Sequence, residues 1–399
     1  MVQQSTAVAL MALAGAAAAA PLKAKTGSFT ARQVANPNFK PVGALQLAKA
    51  YNKYGAKMPP GLAATVAKYR AEKKAKRDSG SATATPEQFD LEYLTPVQIG
   101  TPPQTLNLDF DSGSSDLWVF SSETESDEVD GQTVYNPSNS STAQEVSDAF
   151  WEIEYGDGSS STGGVVHDVV SIGGVSFASQ GVEVATQVSD QFTEDPDSDG
   201  LLGLAFTVLN SVFPEQEPTF FDNIAPNLDV AAWTADLKYH AAGSYDFGVI
   251  DSSKFTGEIS YQEVDTLSGF WAMSADINGV PVTGIADTGT TLALLPDAVV
   301  NAYWSQINGA VFDDTQDAIV FPCNATLPDF TYSPGNVNIT IPGEMMNWAP
   351  VTDTTCYGGL QSNGGIGLSI YGDIALKAAF VVFDKSQGAP RIGFATKDL

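Results

Sequence analysis

A chain of 399 residues with 43% hydrophobic content is long enough for two or three domains with ample core, which excludes a disordered protein. Its net charge of −28 sets 47 acids against 19 Lys and Arg, so nucleic acid is not an expected partner: its phosphates would be repelled. Two cysteines, Cys323 and Cys356, and two distant histidines, His167 and His240, leave little material for zinc, a thiol relay or a Ser-His-Asp triad, and neither metal nor other cofactor is expected.

In chain order, residues 8–20 form a short Ala-rich apolar run ending in small residues. It reads as a secretory signal peptide over 1–20 rather than a membrane span, although its start lacks Lys and Arg; a disordered Ala-rich tail is the other reading. No later run is long enough to anchor the chain, so a secreted, extracellular product with no membrane partner is expected. Residues 21–77 are basic. Residues 1–77 hold 13 Lys and Arg against one acid, Glu72, a charge of +12, whereas 78–399 hold 6 against 46, a charge of −40. A basic arm on an acidic body predicts docking of the arm at neutral pH. The run Glu72-Lys73-Lys74-Ala75-Lys76-Arg77 then meets Asp78-Ser79-Gly80, which reads as a processing junction, with a solvated surface helix as the alternative.

From Glu92 the texture changes to short strands broken by Gly, Pro and Ser, at 93–99, 105–110, 151–155, 165–172, 246–250 and 380–383, with brief helices at 220–225 and 296–307. An all-β body with minor helices is predicted. Within it, Asp111-Ser112-Gly113-Ser114 and Asp287-Thr288-Gly289-Thr290 each follow an apolar strand and precede apolar residues. Leu201-Leu202-Gly203 and Ile370-Tyr371-Gly372 lie at similar distances beyond the two acids, so half of the fold is repeated with one acid per half. Two lobes follow, 78–251 and 252–399, with a cleft between them where ligands bind. The tripeptide alone proves little, since Asp78-Ser79-Gly80 matches it without a strand leading in. Two carboxyl groups brought close share a proton, so one serves as acid and the other as base at the same pH.

Both turns, in Phe110-Asp111-Ser112-Gly113-Ser114-Ser115-Asp116-Leu117-Trp118-Val119 and Ile285-Ala286-Asp287-Thr288-Gly289-Thr290-Thr291, resemble the two active-site signatures of pepsin-like aspartic proteases. Tyr155-Gly156-Asp157-Gly158-Ser159, Asp199-Gly200-Leu201-Leu202-Gly203 and Tyr371-Gly372-Asp373 agree, and Leu327-Pro328-Asp329-Phe330 and Gly364-Gly365-Ile366-Gly367 are similar to the fungal penicillopepsin and aspergillopepsin branch. The resemblance runs from about Glu92 to the end. Ser112 departs from the usual Thr, losing a methyl but keeping the hydroxyl.

The resemblance implies a two-lobed acid protease fold and an endopeptidase acting on proteins and peptides through water held between Asp111 and Asp287. Aspartic proteases are the known example of a split carboxyl pair. Ser112, Ser114, Thr288 and Thr290 would fix the acids, and Gly113, Gly289 and Thr290 would also contact substrate. Tyr155, Gly156 and Asp157 would form a flap over substrate, with Trp118 hydrogen-bonded to the Tyr155 hydroxyl; without the resemblance both aromatics read as core. Asp157 implies that Lys is admitted beside large hydrophobic residues on the acyl side of the cut. Lys53-Tyr54 resembles the inhibitory pair of a pro-segment, which makes the chain a zymogen with its own pro-segment as partner in cis; one solvated Lys among many is the other reading. A monomer is expected. Cys323 and Cys356 fit one disulfide in the second lobe, a free buried pair being the alternative. Asn139, Asn324 and Asn338 match the glycosylation acceptor pattern. A pepsin-fold binding protein and a two-carboxylate glycosidase remain as competing functions.

Overall fold

Each acid ends a strand that is built in the same way in both halves of the chain. In the computed structural model, which describes residues 27–36, 38–79 and 92–399, the strands Tyr93–Ile99 and Gln104–Asp111 pair antiparallel, with Leu106, Leu108 and Phe110 turned inward in strict alternation. Gly200–Gly203 then lies parallel to the second of them, setting Asp111 opposite Gly203, and Leu117–Phe120 runs antiparallel on the far side. In the second half, Ala272–Ile277 pairs with Val280–Ala286, Ser369–Tyr371 lies parallel to the latter, and Ala293–Leu295 runs antiparallel beyond. The repeat read from the sequence is thus a repeat of strand topology.

Glycine is needed at the repeated Gly203 and Gly372 because the chain beyond each acid crosses there. A Cβ on Gly203 would lie 2.5 Å from the Ser115 backbone, and one on Gly372 would lie 2.3 Å from the Thr290 carbonyl. A nine-stranded sheet carries the first half and a seven-stranded sheet the core of the second, with a four-stranded sheet beside it. Cys323 and Cys356 are joined as a disulfide at that smaller sheet, with sulfurs 2.09 Å apart. A six-stranded sheet joins the halves, taking Ala232–Asp236 and Ser244–Phe247 from the first and Thr256–Glu263, Phe380–Asp384 and Arg391–Thr396 from the second. Trp271 ties the halves again by donating its indole N–H to the Leu204 carbonyl at 2.8 Å.

The all-β, two-lobed expectation holds, and the brief helices lie at Phe220–Ile224 and Asp297–Trp304. The 13-residue strand Val175–Gln187 was not among the expected strands; its middle is buried without alternation, so no period of two marks it.

The basic segment is folded on the body. Phe29–Arg32 is an edge strand of the six-stranded sheet against Ser244–Phe247, and helices span Gly43–Lys53 and Pro60–Ser79. The first helix ends because Gly55 adopts a left-handed φ of +62°, with Gly55 N–H donating to Asn52 O and Ala56 N–H to Tyr51 O. That stop places Lys53 and Tyr54 at the tip. The Lys run, read above as a processing junction with a surface helix as the alternative, has helical backbone through Ser79. The segment 80–91 and the expected signal peptide lie outside the described residues.

Candidate active site

The strand ends bring Asp111 and Asp287 together, both at most 1% exposed and each on its own tight turn. Beneath them two hydroxyls cross between the lobes. Ser112 N–H donates to Thr288 Oγ1 at 3.0 Å, and Thr288 N–H to Ser112 Oγ at 2.9 Å. The same hydroxyls donate onward, Ser112 to the Ala286 carbonyl at 2.8 Å and Thr288 to the Phe110 carbonyl at 2.6 Å. Every lobe therefore holds the other's turn through paired hydrogen bonds, and Ser112 supplies all that this net asks of a hydroxyl. The usual methyl is not required for it.

Each carboxylate is also held within its own turn. Gly113 N–H and the Ser114 hydroxyl donate to Asp111 at 2.8 and 2.5 Å; Gly289 N–H and the Thr290 hydroxyl donate to Asp287 at 3.0 and 2.5 Å. The glycines leave room for the opposing acid: a Cβ on Gly113 would sit 2.6 Å from Asp287 Oδ1, and one on Gly289 2.4 Å from Asp111 Oδ1. Any other residue there pushes the pair apart.

The Lys53 ammonium enters between the acids, 2.7 Å from Asp111 Oδ1 and 2.9 Å from both oxygens of Asp287. Tyr54 donates its hydroxyl to Asp287 Oδ2. Burial raises the Asp111 carboxyl and the neighbouring Asp287 adds to this, against the pull of Lys53. Burial also opposes ionisation of Asp287, but Lys53 and the hydrogen bonds around it prevail and hold that carboxyl below the usual range. Burial works against the charge on Lys53, and the two acids outweigh it, so its ammonium is held. One cation thus compensates two buried acids.

Tyr155–Ser159 caps the hairpin of Gln144–Glu154 and Ser160–Ile172, with Gly158 at φ +81°. The hairpin tip rests on the basic segment: Gly156 N–H donates to Asn52 O at 3.1 Å, and Asn52 Nδ2 donates to Asp157 Oδ2 at 3.0 Å. The expected Trp118–Tyr155 hydrogen bond is replaced. Tyr155 donates to Ser161 Oγ at 3.4 Å, and the Phe192 ring stands against both aromatics, 4.8 Å from Trp118 and 5.6 Å from Tyr155 between centroids. Trp118 and Tyr155 share with Gly113, Gly289 and Asp111 the wall of a cavity of about 320 Å³. Thr290 is buried, with its hydroxyl on Asp287.

Several contributors carried no signal in the sequence. Asn52 and Gln191 bond each other across the cleft, Lys49 pairs with Asp109 at 3.5 Å, and Arg70 with Glu194 at 2.6 Å. Adjacency to Lys53 is the one clue that could have singled out Asn52. Asn139, Asn324 and Asn338 are all exposed. His167 faces Glu217 at 2.8 Å, and no group of His, Cys, Asp and Glu suited to a metal occurs among the described residues.

Residues 92–397 match the family model described as eukaryotic aspartyl protease. Over 382 residues the chain is 52% identical to endothiapepsin of Cryphonectria parasitica, covering 93% of this chain and 91% of that protein. It is 50% identical over 390 residues to aspergillopepsin-1 of Aspergillus fumigatus, covering 94% of each, and 48% identical over 393 residues to podosporapepsin of Podospora anserina, covering 94% and 92%. In fold it is similar to the crystal structure of the aspartic proteinase from Irpex lacteus, with a TM-score of 0.62 at 23% identity over 78% of this chain and 95% of that one. The chain therefore belongs to the eukaryotic aspartyl protease family, as a pepsin-like aspartic endopeptidase related to the fungal endothiapepsins and aspergillopepsins.

Proposed function

We propose that the chain is the secreted zymogen of an acid endopeptidase in which Asp111 and Asp287 share one proton and activate water. The observation that carries this reading is the reach of one ammonium, since Lys53 Nζ lies within 2.9 Å of both carboxylates. A site that admits a single ammonium between two acids has room for a water on the same carboxylate acceptors once the segment leaves. The ionised carboxylate takes a proton from that water as its oxygen attacks the peptide carbonyl. The protonated partner donates to the carbonyl oxygen, and the tetrahedral species collapses with proton transfer to the leaving amine. The hairpin 155–159 closes over the substrate and excludes solvent.

Residues 21–77 act as the inhibitory segment. Their net positive charge and the contacts of Lys53, Tyr54, Lys49 and Arg70 with acids of the body support docking at neutral pH. Acid weakens it by protonating those acids. Cleavage after Arg77 requires the last turn of the Pro60–Ser79 helix to unwind. The mature enzyme acts as a monomer on proteins and peptides, with large hydrophobic residues or Lys on the acyl side of the cut, the latter facing Asp157. Glycans at Asn139, Asn324 and Asn338 fit their exposure.

The test is to move the purified full chain from neutral to acidic pH, with and without a statine-type transition-state analogue. A new N-terminus near residue 78 and analogue-sensitive protein cleavage should appear together. Correctly processed chain that cleaves nothing at any acidic pH overturns the reading.

A further inference from the structure

Asn52 presents its side-chain amide to two acceptors at once. Its Nδ2 donates to Asp157 Oδ2 at 3.0 Å and to Gln191 Oε1 at 3.1 Å, while its own Oδ1 is buried without a partner. The residue is 1% exposed. The site is therefore complementary to the N–H end of the amide and indifferent to the carbonyl end, which marks it as a place for N–H donors. Asp157 is built for this part. Its Oδ1 is occupied by the Ser159 N–H at 3.0 Å and the Ser159 hydroxyl at 2.7 Å, which leaves Oδ2 to face inward. Partial burial opposes its charge, yet those bonds, with Asn52 and Arg70, hold the carboxyl below the usual range.

Gln191 sits opposite, on the short helix Asp190–Thr193, immediately before Phe192, whose ring lies against Tyr155 and Trp118. It lines the same cavity as Asp111 and Gly113. Asn52 also accepts the Gly156 N–H on its backbone oxygen and is followed by Lys53 on the two acids, so a chain lying in the cleft brings a side chain to this spot. We infer that Gln191 is a specificity-determining residue, forming with Asp157 a two-acceptor subsite for substrate side chains that carry N–H donors, amide or ammonium. The inference rests on the endopeptidase reading above, and it adds a second, uncharged acceptor to the one expected at the flap.

The test uses acid-processed enzyme from full-length wild type, Gln191→Leu, Asp157→Asn and the double variant. Peptide series carry Lys, Gln or norleucine at one of the three residues on the acyl side of the cut. The readout is the ratio of kcat/KM for Lys or Gln to that for norleucine at each position. Gln191→Leu should lower both ratios at one position by about 3- to 10-fold, the loss of one hydrogen bond. Asp157→Asn should lower the Lys ratio at that same position, and the double variant should lose less than the product of the two. Gln191→Ala serves where the Leu variant does not mature. Ratios within about twofold of wild type at all three positions, or effects of the two residues at different positions, overturn the subsite and leave the endopeptidase standing. Wild type that cleaves no peptide takes down both.

Discussion

Two pairs of buried carboxyl groups lie in the first half's reach, and their surroundings differ. Asp111 and Asp287 meet between the lobes with two hydroxyls, two backbone N–H groups, a phenol and an ammonium aimed at them. Asp116 and Glu183 meet inside the first lobe with far less. Asn210 Nδ2 is shared between them at 3.1 and 2.8 Å, Ser211 N–H donates to Asp116 at 2.7 Å, and Glu183 Oε2 is buried without a partner. Among the described residues no ammonium or guanidinium pairs with either. Burial raises both of these acids, Glu183 well above the usual range, with Asp116 adding to it. A pair surrounded by donors can carry charge and exchange protons; a buried pair with one side-chain amide and one backbone N–H favours keeping a proton. The first arrangement suits chemistry, and the second makes stability depend on pH.

The largest effect that separates the pairs is on catalysis. Asp111→Asn or Asp287→Asn should lower kcat by on the order of 10⁴-fold or more while circular dichroism stays native, and a single variant with substantial activity sinks the dyad. Removing the cation comes next. Breaking a buried pair by deleting one partner costs about 3–5 kcal/mol, so Lys53→Met should loosen the docked segment. The sign follows from Asp287, whose carboxyl is held low while Lys53 is bound. That contribution is full above the ordinary carboxyl pKa and fades as pH falls through the lowered value, so the variant should release its segment at a higher pH than wild type. Gel electrophoresis of the chain across a pH series reads this directly; an unchanged release pH refutes it. Smaller still, Ser112→Ala deletes the hydroxyl that both donates to Ala286 O and accepts from Thr288 N–H, leaving the latter buried and unpaired. A loss of about 1–3 kcal/mol in urea unfolding is expected.

How far the sequence reached differs between the two pairs for the same reason. Asp111 and Asp287 were legible because each sits in a repeated context of strand, Asp-hydroxyl-Gly turn and a later apolar-apolar-Gly segment, and the strand pairing of Asp111 with Gly203 explains that repeat. Asp116, just before the strand Leu117–Phe120, and Glu183 are 67 positions apart with no repeated pattern, and nothing short of the parallel register of Trp118 with Glu183 brings them together. The docking of the segment was legible in its charge and in Lys53-Tyr54, yet its bond from Asn52 to Gln191 depends on how a helix lies across the hairpin. Phe192 standing between Trp118 and Tyr155 is likewise a matter of packing around that segment, which a motif match does not contain.

Near pH 3 the last effect vanishes, and its growth with pH tests the comparison most directly. Glu183→Gln mimics the protonated acid and keeps its size, so the variant should leave stability at low pH nearly unchanged. In wild type the folded chain holds a proton on this pair that the unfolded chain releases near the ordinary Glu range, about 4.3. From there upward the unfolded state binds fewer protons than the native state, and stability falls by up to about 1.4 kcal/mol per pH unit until the raised native value is reached. The Gln variant has no such slope from Glu183, and Asp116, relieved of a like charge, ionises more readily. Thermal unfolding of the mature enzyme should therefore show Tm curves that coincide near pH 3 and diverge toward neutrality, the variant being the more stable. The acids that face this pair are Glu217 from the loop beyond it, itself bonded to His167, and the Tyr155 phenol; they are unchanged by the substitution and cannot supply the divergence. Curves that stay parallel across the range would assign the pair no part in pH sensitivity, and the contrast between the two carboxyl pairs would reduce to location alone.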